Sequence, residues 1–347
     1  MDLDVDTFRT TVYCVCDDRY RTELAPQVGP RRGARPQLSD SEVLTLAALA
    51  QWMPQRCERC LLRYARAHWR GYFPRLTSQS AFNRRGRNLG GVLSRLGPAL
   101  AQTIHAAGGQ APAYEVWDGV PIPLLRRCRG GRHRLFAGEA GFGRGGSDQE
   151  WYSGMPQLTA VSSAGPITGF VVGPADTAEY WLAAALLRWR RAPRAPAPRA
   201  ADLAPVLGAT PGPGGARRGP PGPRGPRPGA GAPAPEPDVC DLACTGRAGR
   251  AHWRADYGAV VLTRADSRTV AVPEERAAGT RWRCGLRQTV ATVFNVLTDQ
   301  LGATCPRART CWGVWTRLAA KVVAFNLALY INQLFGRPTF AWFNPML

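Results

Sequence analysis

Two aspartates, Asp118 and Asp241, each follow a short stretch with the pattern of a buried β-strand. Carboxylates at the ends of neighbouring strands can share divalent cations, because Mg²⁺ and Mn²⁺ prefer oxygen ligands. Two such ions about 3.5–4 Å apart activate an attacking water or hydroxyl and stabilise the leaving oxygen of a phosphodiester. The pair therefore indicates metal-dependent phosphodiester chemistry. The plainer alternative is that each aspartate only closes a turn at a strand end.

The chain of 347 residues has 45 Lys and Arg against 25 Asp and Glu, a formal charge of +20. Such an excess favours a polyanionic partner, either nucleic acid or an acidic membrane surface. Lys321 is the only lysine, so nearly all of the positive charge is on guanidinium groups, which bind phosphate in a bidentate fashion. A G/C-rich coding sequence also explains the preference for arginine, and it is the simpler explanation.

The N-terminal region, residues 1–110, is predicted to be helical because its apolar residues recur with a helical period. Ser39 and Glu42 have the spacing of a capping box at the start of one helix. A basic and aromatic cluster later in the region is a candidate DNA-binding surface. Its candidate DNA contacts are three arginines: Arg84, Arg85 and Arg87. The alternative is a solvated arginine face on an ordinary helical domain.

From about residue 111 the pattern changes to strands. Residues 158–161 and 167–172 flank a turn-like sequence and predict a β-hairpin, which a helix follows. Residues 111–190 and 238–347 together form the predicted catalytic core. The expected fold class is α/β (α+β), with a mixed sheet and flanking helices.

Residues 191–237 interrupt this core. They are dominated by proline, glycine, alanine and arginine, with Asp202 and Glu236 as the only acids. Because such a composition cannot bury enough apolar surface to offset its ordering entropy, we predict a disordered insertion. A local shift of reading frame in G/C-rich DNA is a hypothesis for its origin, and the other reading frames of the gene would test it.

Ten cysteines are present, and Cys57 and Cys60 form the one C-x-x-C pair. Cys240 and Cys244 are also spaced by one helical turn. A zinc site needs four converging ligands, and the four histidines are scattered without ligand spacing. We therefore expect no zinc site and predict thiols that are mostly reduced, buried and unreactive.

Targeting signals are the last general feature of the sequence. The N-terminus carries Asp2, Asp4 and Asp6 rather than the basic and apolar regions of a signal peptide. No stretch reaches the roughly 18–20 uninterrupted apolar residues of a membrane span. We expect a cytoplasmic protein without a membrane partner.

Several segments resemble bacterial insertion-sequence transposases of the DDE class, in particular the insertion-sequence-four-like group. The resemblance extends from residue 3 to residue 347, except for residues 191–237. The segments that carry it occur in the family's order along the chain: residues 38–46, 73–85, 159–170 and 318–332. The resemblance implies an N-terminal helical DNA-binding region and an RNase H-like catalytic core.

On this resemblance Asp118 and Asp241 correspond to the family's two catalytic aspartates, which bind Mg²⁺ or Mn²⁺. Arg287 corresponds to a family arginine and is a further candidate DNA contact. Ala291 stands where the family has its third acid, a glutamate on a late helix. Because a methyl group cannot coordinate a cation, we expect weak or absent strand cleavage with DNA binding retained. The nearest acids along the chain would need a backbone shift to replace the glutamate: Glu274, Glu275 and Asp299.

The resemblance also implies the partners. Double-stranded DNA, as transposon ends and as target, is the expected ligand, bound by a homo-oligomer in the bacterial cytoplasm and nucleoid. One alternative is a catalytically inactive transposase relic that still binds DNA. Another is an unexpressed relic whose insertion prevents a stable core.

Overall fold

The computed structural model describes ten stretches of the chain: residues 3–28, 36–54, 57–109, 111–130, 134–145, 150–191, 237–240, 247–263, 285 and 288–342. Helices and a sheet both contribute to them, so the predicted mixed α/β class is confirmed. The predicted disordered insertion at 191–237 lies outside the described residues, apart from its first and last positions.

The chain divides into two compact units. We call one the helical unit, which contains Met1–Gln110, Gly165–Ile167 and Asn295–Leu347. The other is the sheet unit, which contains Ala111–Ala164 and Thr168–Phe294. The division after residue 110 coincides with the predicted end of the N-terminal region. The C-terminal segment groups with the N-terminal helices rather than with the predicted catalytic core, because its long helix packs against them.

The helical unit has six described α-helices, and in all but the fifth the N-cap side chain accepts a hydrogen bond from an amide of the first turn. They are α1 (Val5–Arg19), α2 (Asp40–Leu49), α3 (Glu58–His68), α4 (Gln79–Asn88), α5 (Gly90–Gly108) and α10 (Cys311–Leu334). The predicted capping box is confirmed at α2, where the Glu42 amide donates to Ser39 Oγ at 3.1 Å and the Ser39 amide donates to Glu42 Oε2 at 2.5 Å. These bonds satisfy amides that a helix start leaves without intrahelical partners.

Helix α10 forms the core of the helical unit, and polar side chains fix its position. Asn326 Nδ2 donates to the carbonyls of Gly97 and Ile167, both at 2.8 Å, and its Oδ1 accepts from the Ile167 amide at 2.9 Å. The buried Lys321 donates to Oε1 of Gln51 at 2.9 Å and to the carbonyl of Leu301. Since buried polar groups are costly without partners, these bonds specify one packing of the helix.

By length and composition α10 could cross a membrane. Its most apolar stretch, with a mean hydropathy of 1.3, is 89% buried inside the protein. It is the only such helix among the described residues. An apolar helix covered on most sides by its own chain is typical of a protein core.

The sheet unit contains six paired strands in its described part. They are β1 (Glu115–Leu125), β2 (Gly141–Gly145), β3 (Glu150–Ser162), β4 (Ile167–Val172), β5 (Pro237–Cys240) and β6 (Val260–Thr263). The strand order is β2-β3-β1-β5-β6, and β4 also pairs with β3. The β1–β3 and β2–β3 pairs are antiparallel, whereas β1–β5 and β5–β6 are parallel. The predicted hairpin at 158–172 is confirmed, because β3 and β4 pair across a short connection.

Four helices accompany these strands. They are α6 (Arg127–Gly130), α7 (Glu179–Arg191), α8 (Arg247–Tyr257) and α9 (residues 288–295). Apolar residues of α7 and α8, Leu182, Leu186 and Trp253, form a buried cluster with Trp117 of β1 and Leu158 of β3. Helix α7 therefore lies on the sheet face that carries Trp117.

Candidate active site

Asp118 lies within β1 rather than at its end. The strand was expected to end near this residue, but it continues to Leu125 because the long β3 pairs with it throughout. Asp118 is half-buried and faces Thr159 of β3 in the register. Its Oδ1 accepts a hydrogen bond from the Gly119 amide at 2.9 Å, so the carboxylate bends along the strand.

Asp118 nevertheless lies where the pairing with β5 stops. The register of this parallel pair matches Glu115 with Asp238 and Trp117 with Cys240. Cys240 directly precedes Asp241, which itself lies outside the described residues. Within the described part of the chain, β1 has no partner on this side beyond Trp117. The predicted convergence of Asp118 and Asp241 therefore stays a prediction.

Glu179 is the acid that the sequence analysis did not identify. It belongs to the first turn of α7, and an ideal Cβ on Gly119 would lie 2.9 Å from its Oε1 and 3.7 Å from its Cδ. The absence of a side chain at Gly119 thus leaves room for this carboxylate over Gly119, the residue after Asp118. No motif contains both Gly119 and Glu179, so only the packing of α7 on the sheet reveals their proximity.

Ala291, by contrast, brings no acid. It lies on the exposed side of α9, between the buried Val290 and Val293. Arg287, the candidate DNA contact on the same segment, lies outside the described residues, as do Glu274 and Glu275. Asp299 belongs to the helical unit, whereas Asp118 belongs to the sheet unit.

The opposite end of α7 has a basic residue over β1. Arg190 donates to Glu115 Oε2 at 2.6 Å and to Thr168 Oγ1 at 3.0 Å, and Trp117 Nε1 donates to the same Glu115 oxygen at 3.2 Å. Burial alone would raise the pKa of Glu115, but the Arg190 charge and the hydrogen bonds to this carboxylate lower the pKa below its ordinary value. Glu115 is therefore charged, and its pairing with Arg190 holds α7 against β1.

The three candidate arginines of the helical unit differ in their surroundings. Arg84 is exposed. Arg85 is partly buried, pairs with Asp40 at 2.5 Å and donates to the carbonyl of Leu38. Arg87 is partly buried, and its backbone carbonyl accepts from Trp312 Nε1 at 2.8 Å. Further exposed arginines near α3 and α4 are Arg63, Arg66, Arg70 and Arg75.

Asp118 and Glu179 both carry carboxylate oxygens, the ligand type that hard divalent cations prefer. Within the described residues, no group of three or more His, Cys, Asp and Glu side chains could hold a metal ion. Asp241, the second predicted ligand, lies outside the described residues. Comparisons with protein-family models, with curated proteins and with solved structures find no match for this chain.

Proposed function

We propose that this chain is a DDE-type transposase-like protein, which binds double-stranded DNA at transposon ends and acts on it through Mg²⁺ or Mn²⁺. The observation that carries the proposal is the register of β1 and β5. Trp117 and Cys240, the residues before Asp118 and Asp241, pair directly. In this proposal the two aspartates follow side by side, since neighbouring strands lie about 4.8 Å apart.

The topology of the sheet unit supports an RNase H-like core. On one side of β1 lies β3, which pairs in turn with β2 and β4. The chain then reaches β5 and β6 on the other side of β1, with α7 before β5 and α8 before β6. Both of these strands run parallel to their inner neighbours, as crossover connections through helices require.

The proposed site has three carboxylates: Asp118, Asp241 and Glu179. Consecutive strand residues project to opposite faces of a sheet. Asp118 and Glu179, whose carboxylate lies over Gly119, can therefore share an ion only at the edge of β1 that faces β5. Pairing with β5 ends at Trp117, which makes that edge accessible. A divalent ion bound there would activate a water or hydroxyl for attack on a phosphodiester. Asp118 and Glu179 would hold and orient that ion.

DNA binding is assigned to the helical unit in this proposal. The exposed arginines near α3 and α4 can contact phosphates. Glu58 of α3 accepts from Asn83 Nδ2 of α4 at 2.9 Å, which holds these two helices together, and also from Arg317 of α10 at 3.1 Å. A basic surface suits the phosphates of a DNA backbone. The resemblance to insertion-sequence transposases also implies a homo-oligomer on DNA in the bacterial cytoplasm.

A catalytically inactive DNA-binding relic is the second candidate. The observation that favours it is Ala291, which is exposed on α9 and places a methyl group where a family glutamate is expected. If Glu179 does not replace that ligand, the site lacks one anionic group and cleavage fails.

Nicking of supercoiled plasmid in Mn²⁺ tests the proposal. We expect slow nicking by the wild type and a loss of at least about 100-fold in Asp118→Asn, because a ligand of the catalytic ion is removed. The matched control is Glu150→Gln at the exposed start of β3, which should nick as the wild type does. Nicking that persists in Asp118→Asn would overturn the proposed site, and DNA binding without any nicking would favour the relic.

Two neighbouring arginines test the DNA-binding surface. Arg84→Ala should weaken binding to all DNA sequences alike and reduce the salt dependence of log K by about one, since one phosphate contact is lost. Arg85→Ala should lower the melting temperature, because it breaks the pair with Asp40. Unchanged DNA affinity in Arg84→Ala would count against this surface.

A further inference from the structure

The C-x-x-C pair is exposed enough to react. The expectation of buried thiols is confirmed for Cys16 and Cys240, whereas Cys57 and Cys60 are both partly exposed. Cys57 is the N-cap of α3, and Cys60 lies in the first turn of that helix. Residues three apart on a helix are neighbours on one face, so the two thiols lie side by side at an accessible helix start.

The two sulfurs are chemically different. Cys57 Sγ accepts the Cys60 backbone amide at 3.1 Å, as an N-cap oxygen would. Partial burial raises the pKa of the Cys57 thiol, but hydrogen bonds from the Cys60 side chain and backbone and the charge of Arg307 lower it below the ordinary value of a thiol. The hydrogen bond to Cys57 raises the pKa of Cys60. Cys57 is thus the thiol of the pair whose surroundings favour the thiolate.

We propose that Cys57 and Cys60 form a redox-active dithiol whose substrates are small-molecule disulfides. The Cys57 thiolate attacks one sulfur of the disulfide, forms a mixed disulfide and releases one thiolate. Cys60 then loses its proton to solvent, attacks Cys57 Sγ and releases the second thiolate. The protein dithiol is oxidised to an internal disulfide, and the small disulfide is reduced to two thiols.

Other cysteines of the chain provide internal standards. Cys14, Cys128 and Cys305 are free and exposed. Burial raises the pKa of Cys16 to about 12, so this thiol should be inert. The proposed reactivity does not depend on DNA binding or on metal ions, and its test is separate from the test of the proposed function.

In the experiment, the full reduced chain reacts with 2-hydroxyethyl disulfide at pH 7. Acid stops the reaction at set times, and peptide mass spectrometry measures the modification of each cysteine. We expect Cys57 to react about tenfold faster than Cys14, Cys128 and Cys305, and the product to be an internal Cys57–Cys60 disulfide. Cys60→Ser should instead accumulate the mixed disulfide on Cys57. Cys57→Ser keeps a good N-cap, and should abolish the fast reaction without loss of fold.

Two results would overturn the dithiol. One is reaction of Cys57 at or below the rate of the three exposed standards. The other is a Cys60→Ser protein whose Cys57 forms no mixed disulfide while its melting temperature equals that of the wild type.

Discussion

The two ends of helix α7 give strand β1 opposite electrostatic surroundings. At the C-terminal end, Arg190 binds the buried Glu115 and lowers its pKa. At the N-terminal end, the Glu179 carboxylate lies over Gly119, the residue that follows Asp118. One strand therefore carries two acids with different surroundings, although both belong to the same sheet unit.

This difference separates structural from chemical roles. Removing one partner of a buried carboxylate–guanidinium pair is destabilising, because it leaves an unpaired charge in the protein. Carboxylate oxygens can instead bind a divalent cation. The Glu115 carboxylate is thus paired within the fold, and a cation site at the Asp118 end of β1 is part of the proposed function. Substitutions at the two ends should separate these roles.

The largest expected effect is at the Glu115 end of β1, where Arg190 pairs with the carboxylate. Glu115→Gln should lower the free energy of unfolding by about 3 kcal/mol at pH 7, because it leaves Arg190 partly buried without its charged partner. The pKa of Glu115 is lowered from 4.5 in the folded protein. The carboxylate therefore stabilises the fold above that pH, and this contribution is lost as the pH falls through the folded pKa.

Urea unfolding at pH 7 and at pH 3 measures this prediction. The difference between wild type and Glu115→Gln should shrink at the lower pH, and Glu150→Gln should match the wild type at both. An equal difference at the two pH values would show that the charge of Glu115 is not responsible.

The second effect concerns the acid that is absent from α9. Ala291→Glu should raise Mn²⁺-dependent nicking about tenfold, because a further carboxylate would join the ligands of the ion. Ala291 is exposed, so the longer side chain should leave the melting temperature unchanged. Plasmid nicking measures the gain in activity, and thermal melting measures whether the fold is unchanged. No gain in nicking, with an intact fold, would mean that α9 does not contribute to the site.

The smallest effect is expected at Gly119. A methyl group there would lie 2.9 Å from Glu179 Oε1, so Gly119→Ala should displace the carboxylate and weaken Mn²⁺ binding about fivefold, a small ligand-positioning effect. The control is Gly86→Ala, since no atom lies within 4 Å of that added Cβ. Equal Mn²⁺ affinity of the two variants would contradict a role for Glu179.

Local patterns in the sequence predicted local structure well. The Ser39 and Glu42 spacing predicted a capping box, and the alternation around residues 158–172 predicted a hairpin, because neighbouring residues decide both. The register of β1 and β5 is a long-range property, which no local pattern predicted. The convergence of the two aspartates stays a prediction, because Asp241 lies outside the described residues.

Tertiary packing decided what the sequence did not reveal. Glu179 lies over Gly119 only because α7 packs on the face that carries Trp117. Arg85 was a candidate DNA contact, and its pairing with Asp40 depends on how α4 meets α2. The last helix, α10, groups with the N-terminal helices because Asn326 bonds to Gly97 of α5.

The most direct test of the cation site is a Mn²⁺ titration followed by the EPR signal of free Mn²⁺. The wild type should bind Mn²⁺, Glu115→Gln should bind it equally well while folded, and Asp118→Asn should bind at least about tenfold more weakly because a ligand is lost. Circular dichroism at the titration temperature confirms that each protein is folded. Identical titrations of the wild type and Asp118→Asn would contradict the assignment of the β1 edge as a divalent-cation site.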